Sequence, residues 1–152
     1  MPTVFDDVAF GPLNLGLPAD EVEKRVIDAL DTVGASNLIH KAPYKLSGGQ
    51  KRSVAIATVL SMLPDVLIMD EPSAGLDPLS RRQLINLLKQ FEHTRIIATH
   101  DLDLVLDVCE RTIVLSEGKI LADGPTMQIF SDEPLLAKSN LEKPMRMQGF
   151  PT

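Results

Sequence analysis

The chain has 152 residues, of which 44% are hydrophobic and 24% charged, and its formal net charge is -6. That length fits one domain or a portion of a larger one, with enough apolar content for a packed core. The acidic balance and the scattered pairs Lys24-Arg25, Lys51-Arg52 and Arg81-Arg82 leave no basic stripe to neutralise phosphates, so no nucleic-acid partner is expected.

Residues 1–17 read as an irregular or extended lead-in broken by Gly11, Pro12 and Gly16. A helix is expected over about 18–33. Pro18 suits a first helical position, Asp20, Glu21 and Glu23 favour the N-terminal end of the dipole, and Gly34 suits the stop. Val22, Val26, Ile27, Leu30 and Val33 recur at helical spacing and form its expected inner face. A loop with Pro43 follows over 35–46. Ser47 and Gln50 make an S-x-x-Q capping box, which predicts a helix over about 47–62 that Pro64 prevents from continuing.

The unbroken apolar run at 66–69 has the pattern of a strand buried on both faces of a parallel sheet. Asp77 as N-cap and Pro78 as first residue open the next helix, with Leu84, Leu87, Leu88 and Phe91 as its inner stripe. RIIAT at 95–99 predicts a second buried strand, and Asp101 caps a helix to about residue 108. Segments 112–115 and 119–122 flank Ser116, Glu117 and Gly118 as a hairpin, and 126–152 read as one short helix and a loosely ordered tail. Alternating strands and helices make the fold α/β, with parallel strands and a hairpin at one edge, while 18–63 read as a separate helical lobe.

In open α/β sheets, ligands sit beyond the carboxyl ends of the strands. Asp70 and Glu71 follow the first expected strand there, and His100 follows the second. Asp70 suits a magnesium ion held through water, Glu71 an attacking water, and His100 a terminal phosphate. Alternatively the two acids merely cap a loop. Ser47, Gly48 and Gly49 at a helix start present backbone N–H groups to an anion, or simply form a capped helix. The lone Cys109 cannot form an internal disulfide, which fits a reducing compartment. Its neighbours Leu106, Val108 and Ile113 predict a buried structural thiol. His40 and His93 are expected at the surface. Residues 1–12 show no targeting pattern, and the apolar-rich stretch 54–63 is too short to span a bilayer, so a soluble protein is expected.

Read as one series, LSGGQ at 46–50, VLIMDE at 66–71, AGLD at 74–77 and ATHD at 98–101 resemble the nucleotide-binding subunit of ATP-binding cassette transporters. DVAFGP at 7–12, NLGL at 14–17 and ADGPT at 122–126 are more narrowly similar to the energy-coupling-factor group that imports cobalt, nickel and vitamins. The resemblance implies a P-loop NTPase (RecA-like) parallel sheet with an inserted helical subdomain. It implies a partial ATPase domain over 1–130, with a helical signature part at 18–63 and a sheet part at 64–125, and a tail at 131–152. It implies ATP and Mg2+ as cofactors, with Glu71 and His100 catalytic, Asp70 at the metal, and Ser47, Gly48, Gly49, Gln50 and Asp77 at the nucleotide. The implied partners are a second ATPase subunit, identical or paralogous, and a transmembrane subunit. The implied location is the cytoplasmic, inner face of the plasma membrane.

One family element is not found in the 152 residues. No GxxxxGK[ST] loop occurs, and Gly118-Lys119 is followed by Ile120. In the family, the front portion carrying that loop precedes the place of Thr3-Val4. By resemblance, residues 47–49 would serve ATP held by a partner, and Asp70, Glu71 and His100 would serve ATP held by the chain's own loop. The expectation is no ATPase activity from the isolated chain, and uncovered strand edges that promote self-association. Three readings stay open: an importer ATPase component, a non-catalytic module lending its signature to a complete ATPase, and a remnant without function.

Overall fold

The computed structural model describes residues 1–149, and the end of the expected tail, 150–152, lies outside the described residues. The chain divides into two units, Met1–Met69 with Ser73–Ile96, and Asp70–Pro72 with the residues from Ile97 onward.

The first unit opens with a helix where an irregular lead-in was expected. Helix α1 spans Val4–Asn14. Its N-cap Thr3 accepts from the Asp6 N–H at 3.2 Å, and the Asp6 carboxylate accepts from the Thr3 N–H at 3.0 Å. This box satisfies two backbone donors reciprocally. The Val4 and Phe5 N–H groups donate to the carbonyls of Lys41 and Ile39, so the first turn leaves few orphans. Pro12 lies within α1 and is buried beside Val4, Val8 and Ala9. Burial of that face outweighs a proline cost of about 3 kcal/mol in a helix.

Helix α2 spans Ala19–Thr32 with Pro18 at its N-cap. Val22, Val26, Ala29 and Leu30 form its buried face, and Val33 just past its end is also buried. Ile27, expected on that face, is instead 47% exposed. It lies next to Val26 in sequence, and adjacent positions on a helix are about 100° apart. Gly34 ends the helix at a φ of +65°, a conformation open to glycine. Single 3-10 turns at Ser36–Leu38 and Pro43–Lys45 lead to helix α3, Gly48–Leu60. Helices α1, α2 and α3 share one apolar core that includes Leu46 and Leu87. Buried Ser61 donates its hydroxyl to the Val8 carbonyl at 3.0 Å, tying the end of α3 to α1.

Strand β1 (Val66–Asp70), helix α4 (Pro78–Gln90) and strand β2 (Thr94–Ala98) form a β-α-β arrangement with a two-stranded parallel sheet. The α/β class is as expected, but burial on both strand faces is not observed. Leu67 is buried, whereas Val66, Ile68 and Ile96 are 47%, 71% and 53% exposed. One sheet face is covered and the other is open, so exposure alternates along each strand.

The second unit holds α5 (Leu102–Val108), β3 (Arg111–Ser116) and β4 (Lys119–Pro125). Strands β3 and β4 pair antiparallel with Ser116 opposite Lys119, so the turn is the two residues Glu117 and Gly118. Their φ angles of +50° and +73° give it the twist that suits a hairpin. The chain then forms two short helices, α6 (Thr126–Ser131) and α7 (Glu133–Lys138), and a 3-10 turn at Met145–Met147. The expected loose tail therefore carries regular turns as far as Met147. Phe130 and Leu136 join Val105, Val114 and Ile129 in a core that Leu141 and Met147 also touch. Arg146 pairs with Asp103 and Asp107 of α5, and the Met145 and Arg146 N–H groups donate to Asp103. Cys109 is half-buried at this core's edge rather than fully buried. His40 and His93 are exposed as expected.

Candidate functional site

The 47–50 segment folds as its spacing predicts. Ser47 is the N-cap of α3, its hydroxyl accepting from the Gln50 N–H at 3.3 Å. The Gln50 side-chain oxygen accepts in return from the Ser47 N–H at 3.1 Å. Ser47 and Gly48 are exposed, and Gly49 and Gln50 are half-buried. A helix of 13 residues places a positive dipole end here, favourable to anions.

Asp77 caps α4 in the same unit. One carboxylate oxygen accepts from the Leu79 and Ser80 N–H groups, each at 3.0 Å, and the other from the Ser80 hydroxyl at 2.6 Å. The Ser80 hydroxyl, chiefly, and then the Ser80 amide hold the Asp77 carboxyl below its ordinary pKa. Ser80 lies beside Gly49, so the structure brings Gly49 and Asp77 together. Nothing in the sequence reading singled out Ser80. Its signal was its place three residues after an N-cap aspartate.

In the second unit, Glu71 and His100 meet directly. The Glu71 N–H donates to the Ala98 carbonyl at 2.8 Å, holding the residue after β1 beside the end of β2. One Glu71 oxygen accepts from the His100 N–H at 3.0 Å and lies 2.7 Å from its ring Nδ1. The other accepts from the Thr99 hydroxyl at 2.9 Å, and that hydroxyl accepts from the Asp101 N–H at 3.0 Å. Thr99 was missed in the sequence because the expected strand absorbed it. Partial burial pushes the Glu71 pKa up, but hydrogen bonds from the His100 ring, Thr99 and the His100 N–H outweigh it and leave the pKa lowered. Glu71 is thus a charged acceptor near neutral pH, suited to orient a water molecule. The His100 side chain is 82% exposed and accessible to a ligand.

Asp70 is exposed at the end of β1. Among the described residues no group of three or more His, Cys, Asp or Glu side chains gathers to hold a metal. A single carboxylate fits an ion such as Mg2+ that takes its other ligands from water and phosphate, and not a protein-enclosed metal site.

Residues 2–74 match the family model described as ABC transporter. A putative ABC transporter ATP-binding protein of Geobacter sulfurreducens is 65% identical over 151 residues, covering 99% of this chain and 61% of that protein. The energy-coupling factor transporter ATP-binding protein EcfA of Methanocaldococcus jannaschii is 50% identical over 146 residues, covering 94% of this chain and 52% of that protein. The structure of cbiO1 from Clostridium perfringens, described as part of the ABC transporter complex cbiONQ, superimposes with a TM-score of 0.78 at 44% identity. It is matched over 91% of this chain and 57% of that one. Over nearly its whole length the chain is similar to ATP-binding proteins of ABC transporters, energy-coupling-factor proteins among them, and its fold is that of the ABC ATPase domain, a P-loop NTPase fold. It spans between about half and three-fifths of the length of these relatives.

Proposed function

We propose that the chain carries the signature and hydrolytic residues of the ATPase component of an importer for a metal ion or vitamin. The observation that carries this is the Glu71 carboxylate held between Thr99 and His100 at the carboxyl ends of β1 and β2. A fixed, ionised carboxylate beside an exposed imidazole is what water attack on a phosphoryl group needs. Its lowered pKa suits Glu71 to orient and polarise the water more than to take its proton outright. His100 contacts the terminal phosphate. Asp70 would hold a Mg2+ ion through water, and the ion would supply charge neutralisation at the phosphates.

Ser47, Gly48, Gly49 and Gln50 present the start of α3 to a triphosphate held by a second ATPase subunit, with Asp77 beside them. A transmembrane subunit holds the assembly at the inner face of the plasma membrane. Among the described residues no helix is long and apolar enough to cross a membrane. The names of the relatives, which include an energy-coupling factor transporter ATP-binding protein and part of the ABC transporter complex cbiONQ, support the transporter-ATPase part of this reading.

The 152 residues contain no GxxxxGK[ST] loop, so on their own they are proposed not to turn over ATP. The test pairs the chain with a complete relative, such as the Geobacter sulfurreducens protein, and follows association by sedimentation with and without Mg-ATP. Association that requires ATP and is lost on Gly48→Asp supports the reading. No ATP-dependent association, or phosphate release by the isolated chain that Glu71→Gln abolishes, overturns it. ATP-dependent association with turnover unaffected by Glu71→Gln selects the module that only lends its signature, a reading favoured by the complete Ser47–Gln50 box with Ser47 and Gly48 exposed.

A further inference from the structure

The two glycines of the 47–50 segment stand in different surroundings. A Cβ built on Gly48 meets no heavy atom within 4 Å. A Cβ built on Gly49 meets the Ser80 hydroxyl oxygen at 2.5 Å, the Ser80 Cβ at 3.3 Å and an Asp77 carboxylate oxygen at 3.4 Å. Neither glycine has a positive φ, so the backbone itself does not demand glycine at either position. The Ser80 oxygen cannot swing aside without loss, because it is anchored on Asp77 at 2.6 Å. One turn further along α3, the Arg52 guanidinium donates to the Ala74 carbonyl at 3.3 Å. Helix α3 thus meets the 74–80 segment both by steric fit at Gly49 and by a hydrogen bond from Arg52.

We propose that Ser80 is a positioning residue that locks the start of α3 to the Asp77 turn, so that the 47–50 amides and Asp77 move as one body. Gly48 is small to keep the helix start open. Gly49 is small because Ser80 fills the space its Cβ would need. The Asp77 carboxylate takes three hydrogen bonds at this junction, from the Leu79 and Ser80 N–H groups and from the Ser80 hydroxyl. A shift at Gly49 therefore reaches Asp77 chiefly through the Ser80 side chain, with the Asp77 oxygen itself only at ordinary contact distance. The functional meaning rests on the reading of 47–50 as facing nucleotide. The contact itself is tested without nucleotide, so its failure and the failure of that reading are separable.

The experiment measures urea unfolding and amide spectra of the 152-residue chain for Gly48→Ala, Gly49→Ala, Ser80→Gly, Ser80→Ala and the double change Gly49→Ala with Ser80→Gly. Gly48→Ala should leave the midpoint unchanged or raise it, since alanine outranks glycine in a helix. Gly49→Ala should lower the midpoint and move the Leu79 and Ser80 amide resonances. Ser80→Ala, which removes only the closest oxygen, should move the resonances of 48–50 while the chain stays folded. In the Ser80→Gly background, Gly49→Ala should no longer destabilise. Where Gly49→Ala alone does not fold, the double variant should. Gly49→Ala behaving like Gly48→Ala, losses that simply add in the double variant, or unchanged 48–50 resonances in Ser80→Ala would each overturn the proposal.

Discussion

Glu71 takes two hydrogen bonds from His100, one from the backbone N–H at 3.0 Å and one from ring Nδ1 at 2.7 Å. An ionised carboxylate only accepts, so Nδ1 must carry a proton. The other ring nitrogen, Nε2, then becomes a donor only when the imidazole is charged. Neutral His100 would offer a phosphate an acceptor, and charged His100 a donor. Nitrogen NMR of the isolated chain should find the neutral ring in the Nδ1–H form. Glu71→Ala should remove that preference, and an Nε2–H ring in the unaltered protein would refute the pairing.

Acid stability should follow four carboxylates. The pKa values of Glu71, Asp77, Asp123 and Glu133 are all lowered in the folded chain, from ordinary values of 4.5 for Glu and 3.8 for Asp. A lowered folded pKa means the unfolded chain binds protons first as pH falls. Their contribution is thus complete above about pH 5 and is lost progressively below it. Thermal melts should be flat from about pH 6 to 8 with respect to these groups and decline gradually below about pH 4, since solvent screens these carboxylates. Asp123→Asn, which breaks the bidentate contact with Arg111, should make that fall shallower. A melting profile unchanged down to pH 3 would remove this account.

Ser47→Ala removes the hydroxyl acceptor of the α3 capping box. It should cost about 1 kcal/mol of stability, read as a lower urea midpoint with an unchanged slope. Ser47→Asp restores an N-cap acceptor and should recover most of that loss. The same aspartate adds negative charge where a phosphate is proposed to sit, so ATP-dependent association should stay impaired. Recovery of both properties together would argue against an anion at this helix start.

The open face of β1 and β2 predicts self-association. Val66, Ile68 and Ile96 alternate with less exposed residues and present an apolar strip. Ile68→Thr with Ile96→Thr keeps β-branched side chains and replaces the apolar ends with hydroxyls. Sedimentation velocity should show less aggregation for that pair than for the unaltered chain. Equal aggregation would move the sticky surface elsewhere.

The contacts of Arg146 are expected to control how readily the C-terminal segment opens. Its guanidinium bridges Asp103 and Asp107, and it is 56% exposed, so solvent screens the pair. Arg146→Gln should speed hydrogen exchange at residues 145–148 while leaving α3 protection unchanged. Loss of protection throughout would mean the segment is integral to the fold.

Much of this was readable because caps and strand ends carry strong local signals. Ser47, Asp77 and Asp101 each mark a helix start that the structure reproduces. The strand-then-acid pattern located Glu71, and the matching strand end located His100. Helix α1 was hidden because Gly11 and Pro12 outweighed the Thr3–Asp6 box in a local reading, whereas burial against α2 and α3 decides the outcome. The tail was misread because short helices such as α7 have little periodicity and draw their stability from tertiary contacts such as those of Leu136. The Ser80–Gly49 contact joins residues far apart in sequence, and no spacing rule foretells it.

Glu71 holds a φ of +44°, the left-handed region where a side chain crowds its own backbone. Such a residue carries conformational strain of about 1–3 kcal/mol. A glycine at 71 would release that strain while deleting the carboxylate. The carboxylate's bonds with Thr99 and His100 offset that strain, so the contacts that fix the geometry for chemistry are also what hold the backbone in an unfavourable conformation.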